Sequence, residues 1–172
     1  MSWSRRSVLT AAGAAALLAF LPGCGFQPLY GDRSVGAGAA DKLAQVDIAN
    51  LPDRHGQQLR NLLIDRFYPD TRPSKTTHRL EASITAFEQK LALRKDASAE
   101  RAQLVLNVPY RLVDTSNGKV VFQASSRALI AYNVLEEHYG ALQTVDNAYE
   151  RGLIQISDEI TNRVAMHFAR GN

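Results

Sequence analysis

Four histidines, His55, His78, His138 and His167, are the side chains best suited to moving protons or holding a metal, and no two stand at ligand spacing. Glu136-Glu137-His138 comes nearest to a metal cluster, but adjacent residues on a turn point apart into water. No Gly-rich phosphate loop follows a strand-like run, and there is no Gly-x-Ser-x-Gly elbow. Catalysis needs a nucleophile with its base, paired carboxylates or clustered ligands. The residues therefore point away from an enzyme, and no metal or cofactor is implied. What they do offer is a group of cations, Lys90, Arg94, Lys95 and Arg101, around one polar turn that also holds Asp96 and Glu100. Arg and Lys pair with phosphates and acidic sugars, Arg through two parallel bonds. This turn is the candidate contact for an anionic ligand. Phe67, Tyr68, Phe87 and Tyr110 could line a partner surface, though each reads more economically as core or rim.

The chain's one cysteine closes Leu21-Pro22-Gly23-Cys24. Before it come Arg5 and Arg6, then an uncharged apolar run from Val8 to Leu21, which is the plan of a secretory signal peptide. The run is about 14 residues, short of the roughly 18 of a membrane span. A cysteine directly after Leu-x-Gly resembles the lipobox of bacterial lipoproteins. That resemblance implies removal of residues 1–23 and acylation of Cys24, palmitate included. Each buried methylene contributes roughly 0.8 kcal/mol, and stable anchoring takes more than one chain. Ser4-Arg5-Arg6-Ser7-Val8-Leu9 also resembles a twin-arginine export signal with Val8 where Phe is usual, but an ordinary positive leader reads the same way.

Loss of residues 1–23 leaves about 150 residues, one domain of ordinary size. Arg5 and Arg6 leave with that segment, so the formal net charge of +3 falls by two, and a nearly balanced chain argues against nucleic acid. With Cys24 acylated no thiol remains for a disulfide or a thiolate metal site. Stability must come from a packed core.

The elements that would position the cations follow from periodicity. Residues 24–43, with Gly36-Ala37-Gly38-Ala39-Ala40, read as a lipidated N-terminus and flexible tether, and residues 44–172 as a single α+β domain. Gln45 to Ala49 alternates as a short strand. Asp53 is placed to cap a helix with Leu59, Leu62, Leu63 and Phe67 on one face, where Arg60 and Arg66 read as solvated charges. Thr76 to Ala86 alternates with Leu80, Ala82, Ile84 and Ala86 together; the parity then flips to Phe87, Leu91 and Leu93, implying a bulge or twist. Ala102 to Val113 places Leu104, Leu106, Val108, Tyr110 and Leu112 inside, and Pro109 on the other parity argues for an edge or a bulge. Asn117-Gly118 predicts a tight hairpin turn, since both residues can take positive φ, leading into a strand with Val120, Phe122, Ala124, Ala128, Ile130 and Tyr132 on one parity. From about Thr144 a long helix carries Val145, Ala148, Leu153, Ile156, Ile160, Val164 and Phe168 and ends at Gly171. The expectation is two helices packed on one face of a four-stranded, mostly antiparallel sheet.

Cys24-Gly25-Phe26 with Leu29-Tyr30-Gly31, and the wording Arg54-His55-Gly56-Gln57-Gln58-Leu59-Arg60-Asn61-Leu62-Leu63, resemble the start and first helix of the LptE family. These are lipopolysaccharide-assembly lipoproteins that partner the outer-membrane barrel LptD. The resemblance implies the same element order, no catalysis, and a lipid anchor in the inner leaflet of the outer membrane on the periplasmic side. It further implies a domain inside or against the barrel that supports its assembly and the delivery of lipopolysaccharide to the cell surface. Gly25 after the cysteine, rather than Asp, agrees with outer-membrane sorting. Lys90, Arg94, Lys95 and Arg101 then become candidates for lipopolysaccharide phosphates. Two other readings stay open: a tethered periplasmic lipid-binding or export-complex accessory lipoprotein without a barrel partner, and a cell-envelope hydrolase, which requires a cleft of convergent titratable groups.

Overall fold

A computed structural model describes residues 35–69, 71–92, 100–134 and 138–171. Its elements are α1 (Val35–Leu43), β1 (Val46–Ile48), α2 (Arg54–Phe67), β2 (His78–Ala82), β3 (Thr85–Ala92), β4 (Glu100–Asp114), β5 (Val120–Val134) and α3 (His138–Arg170). Strand β4 is the spine of the sheet. One of its edges pairs antiparallel with β2 and then β3, the other with β5, and β1 pairs parallel with β2.

The parity flip expected near Ala86 has a different cause from an inserted residue. Ala82 pairs with Tyr110 and Thr85 with Asn107, so both chains advance by the same number across the gap and one register persists. Ser83 donates its N–H to the Pro109 carbonyl at 3.2 Å, but Pro109 has no N–H to return, and the ladder is interrupted at that point. The fold is therefore α+β as expected, with the second expected strand divided into β2 and β3, so that five strands stand where four were expected. Pro109 lies in the central strand, not at an edge. The register shift that is present falls later, between Lys90 and Ala92.

Apolar side chains on the even positions of β4, Leu104, Leu106, Val108 and Leu112, are fully buried under the helices. On α2 the stripe Leu59, Leu63 and Phe67 recurs every fourth residue and is buried with Gly56. The Tyr68 hydroxyl then donates to the Val46 carbonyl and ties the helix end to β1. Along α3, Ala148, Leu153, Ile156, Ile160, Val164 and Phe168 are buried as the spacing predicts. Fully burying each of the larger side chains contributes about 1.5–3 kcal/mol relative to exposure. Gly152 sets how closely α3 lies on the sheet: a Cβ there would stand 2.6 Å from Leu106 Cδ1 and 3.3 Å from Ile130 Cγ1.

Four local expectations are corrected. The segment read as part of a flexible tether is helical over Val35–Leu43, with Ala39 and Leu43 in the core and the helix packed on α3, because alanine favours the helix and its one apolar face finds a partner. At the hairpin only Gly118 takes positive φ, at 70°. Asn117 instead acts through its side chain, accepting from Lys119 N–H at 2.8 Å and donating to Asp114 at 3.0 Å, so the turn spans Asp114 to Lys119. Asp53 precedes α2 at φ 71°, ψ 161°, and its carboxylate makes no capping bond; its backbone carbonyl accepts from Gln57. Arg66, read as a solvated charge, is bonded to Asp158 at 2.6 Å and to the Leu62 carbonyl, linking α2 to α3.

Candidate functional site

With α1, α2 and α3 on one side, the opposite face of the sheet lies open, and alternation decides what it presents. The odd positions of β2 to β5 point there: Arg79 and Glu81, Thr85 and Phe87, Gln103 to Arg111, and Gln123 to Asn133. Most are polar and cross-linked. Arg79 pairs with Asp47 at 3.0 Å, Arg111 with Glu81 at 2.7 Å, and Ser125 donates to Asn107 at 2.9 Å. Between them runs one apolar row, Phe87, Val105 and Leu129, which are direct cross-strand neighbours. Phe87 and Leu129 are 50% and 49% exposed while Val105 is 1% exposed, so the outer two shield the middle one and remain available to a partner. Arg127 flanks this row, and Arg101 lies farther along the same face.

Cys24, Arg94 and Lys95 lie outside the described residues. Lys90 and Arg101 come to the same end of the β3–β4 pair but on opposite faces: Lys90 opposes the buried Ala102, whereas Arg101 has the parity of the open face. Both are exposed. The expected cation group is thus divided by the sheet among the residues described. Arg127, Val105 and Leu129 were not singled out from the sequence, whereas Phe87 was, as one of four aromatics that could line a partner surface. The signal was there in the odd parity of Phe87 and Leu129, but only the register of three strands makes them neighbours.

Where Pro109 interrupts the ladder, a shallow groove of about 600 Å³ is bounded by Glu81, Ser83, Pro109, Arg111 and Gln123. A second hollow, about 310 Å³, lies on the helix side between Asp53, His55, Gly56, Ile84, Ala86 and Tyr149. His55 and Tyr149 stack there with ring centres 3.7 Å apart. Burial, and then Arg54, holds His55 below its ordinary value, and burial pushes Tyr149 up. At the far end of α3, burial and the neighbouring His78 hold His167 down. Among the described residues no group of three His, Cys, Asp or Glu could hold a metal, and no helix is long and apolar enough to cross a membrane. The arrangement offers surfaces for recognition: an open polar face with an apolar row, and exposed cations at strand ends.

The family described as LptE, lipopolysaccharide-assembly, matches residues 43–167. No curated protein matches the chain by sequence. Among solved structures, a lipoprotein of Caulobacter crescentus CB15 superposes with a TM-score of 0.63 at 21% identity, over 77% of this chain and 97% of that one. The rare lipoprotein B of Shewanella oneidensis gives 0.57 at 14% identity, over 71% and 94%, and a minor lipoprotein of Acinetobacter baumannii gives 0.53 at 15%, over 72% and 94%. At these identities the likeness is one of fold.

Proposed function

The chain belongs to the LptE lipopolysaccharide-assembly family, a family of non-enzymatic accessory lipoproteins, and from that premise we propose that it serves as the lipid-anchored partner of an LptD-like outer-membrane β-barrel. In this reading residues 1–23 are removed and acyl chains on Cys24 hold the protein at the inner leaflet of the outer membrane, facing the periplasm. The domain then stands inside or against the barrel, supports its assembly, and helps deliver lipopolysaccharide to the cell surface. The observation that carries this reading is the family match over residues 43–167, joined to an open sheet face whose ion pairs and amides suit a polar barrel lumen. Family membership in a non-enzymatic group removes the hydrolase alternative.

Purification from outer membranes in mild detergent tests the proposal. A large barrel protein in one-to-one ratio is the expected result; recovery of the lipoprotein without it would favour the tethered lipid-binding or export-complex reading instead. The ligand contact is assigned to Lys90, Arg94, Lys95 and Arg101. Replacing Arg94, Lys95 and Arg101 by Ala leaves stability within about 0.5 kcal/mol per surface site. The same change weakens retention of purified lipopolysaccharide, and wild-type retention itself falls with added salt. Unchanged retention at low and high ionic strength would move the contact elsewhere.

A further inference from the structure

Strand β5 runs for 15 residues and, among the described residues, pairs with β4 alone. Which of its backbone groups are left over can be read from the register. Ser83 and Thr115 both use backbone bonds that join odd positions of β4 and its continuation to the β2 side. The odd residues of β4 therefore turn away from β5. Their partners on β5, Gln123, Ser125, Arg127, Leu129, Ala131 and Asn133, turn their own N–H and C=O groups outward, along about 34 Å of open edge. Among the described residues a single contact to this row is seen: Arg163 of α3 donates to the Ser125 carbonyl at 3.2 Å. Folded proteins blunt such edges with proline, charged side chains, bulges or a covering helix, and here the one charge is Arg127. From Gln123 to Asn133 there is no proline, no lysine and no register shift.

We propose that this edge of β5 is a strand-addition site, and that its occupant is an extended segment bearing acidic side chains. Main-chain bonds to the outward groups supply the pairing, and alternate side chains supply the choice of partner. The charge around the edge selects the sign. Arg127 stands on the open face, and Arg163 and Arg170 stand on the helix side, where with Phe122, Met166 and His167 they bound a hollow of about 150 Å³. Glu159 is paired to Arg163. A second copy of the chain would bring the same arginines to the same edge, so self-pairing is opposed by like charge. An added strand with Asp or Glu beside Arg127 and over the hollow completes the charge and covers the exposed Leu129.

The full-length lipoprotein in mild detergent is titrated with two blocked peptides of about ten residues, alternating Thr and Val, one with Glu and one with Lys at matched positions, while amide exchange is followed residue by residue. The acidic peptide is expected to slow exchange at the odd amides of β5 by about tenfold or more, with the even amides unchanged and the lysine peptide weaker. Ala131→Pro removes one outward N–H that no internal bond uses, so the fold persists and binding falls. Arg127→Glu with Arg170→Glu keeps every backbone donor and reverses the preference between the peptides. No protection by either peptide, or equal protection by both, overturns the proposal. So does sedimentation as a dimer with the odd amides already protected, which would assign the edge to a second copy. Neither lipopolysaccharide nor a barrel enters the assay, so its outcome is independent of the function proposed above.

Discussion

Replacing Gly152 by Ala sets two opposing effects against each other, and the geometry decides between them. In a helix interior Ala is favoured over Gly by about 1 kcal/mol. Here the new methyl would sit 2.6 Å from Leu106 Cδ1, about 1 Å inside ordinary carbon contact. Leu106 cannot simply swing away, because it is fully buried, and Ile130 Cγ1 at 3.3 Å closes the other side. Inserting a methyl into a packed core costs about 1–3 kcal/mol. We therefore expect a net loss of up to about 2 kcal/mol, seen as a urea midpoint lowered by up to about 1 M. Gly38, in α1, is the control: nothing lies within 4 Å of its would-be Cβ, so Gly38→Ala raises stability by about 0.5–1 kcal/mol. In a Leu106→Ala background, which opens the space, Gly152→Ala becomes stabilising, and the coupling between the two sites is the direct measure of the clash. A raised midpoint for Gly152→Ala in the otherwise unchanged protein would refute the argument.

His55 and His167 are both held below the ordinary histidine value of about 6.5, chiefly by burial, so the unfolded chain binds protons that the folded one resists. Stability is then full above that value and declines as pH falls through it; His55→Phe, which keeps the stack on Tyr149, flattens the slope in urea unfolding measured across pH 5 to 8. Gly118→Ala places a side chain at φ 70° and costs about 1–2 kcal/mol without altering recovery of the proposed barrel partner. Asp114, held below 3.8 by Ser116 first, keeps this turn closed above that value, and the Ser116 amide signal shifts as pH falls below it. Cys24→Ala abolishes fatty-acid labelling and leaves uncleaved precursor or a mislocalised soluble form; normal labelling would overturn the assignment of the anchor.

Strong periodicity carried most of the fold. The stripe Leu59, Leu63 and Phe67, the even positions of β4 and six of the seven apolar positions read on α3 are buried where spacing placed them, with Val145 half-buried, because repeated burial leaves a regular trace in sequence. What escaped was decided between elements. Pro109 looked like an edge residue, since a proline withholds one bond wherever it lies; only the pairing of β4 on both sides shows that a central strand tolerates the loss. The short run Val35–Leu43 has small residues and a weak pattern of its own, and takes its order from docking on α3. For the candidate site, Lys90 and Arg101 were legible as neighbours at one hairpin end, but not as residues of opposite faces, because only the pairing of Lys90 with Ala102 puts Arg101 on the other parity. Arg66 and Asp158 are distant in sequence and meet only when α2 lies on α3.

The missing donor at Pro109 also divides how the sheet comes apart. Across it, β2 and β3 share a register but are joined to β4 by one intervening bond, from Ser83. The β2 run is held on its other side by β1, itself tied to α2 through Tyr68, whereas among the described residues β3 has β4 alone. Local opening follows the weakest boundary. The half of the ladder that carries Phe87 and Lys90 can peel from β4 as a unit, hinged at Ser83, while the half under α2 stays closed. On reclosing, the shared register returns Phe87 to its place beside Val105.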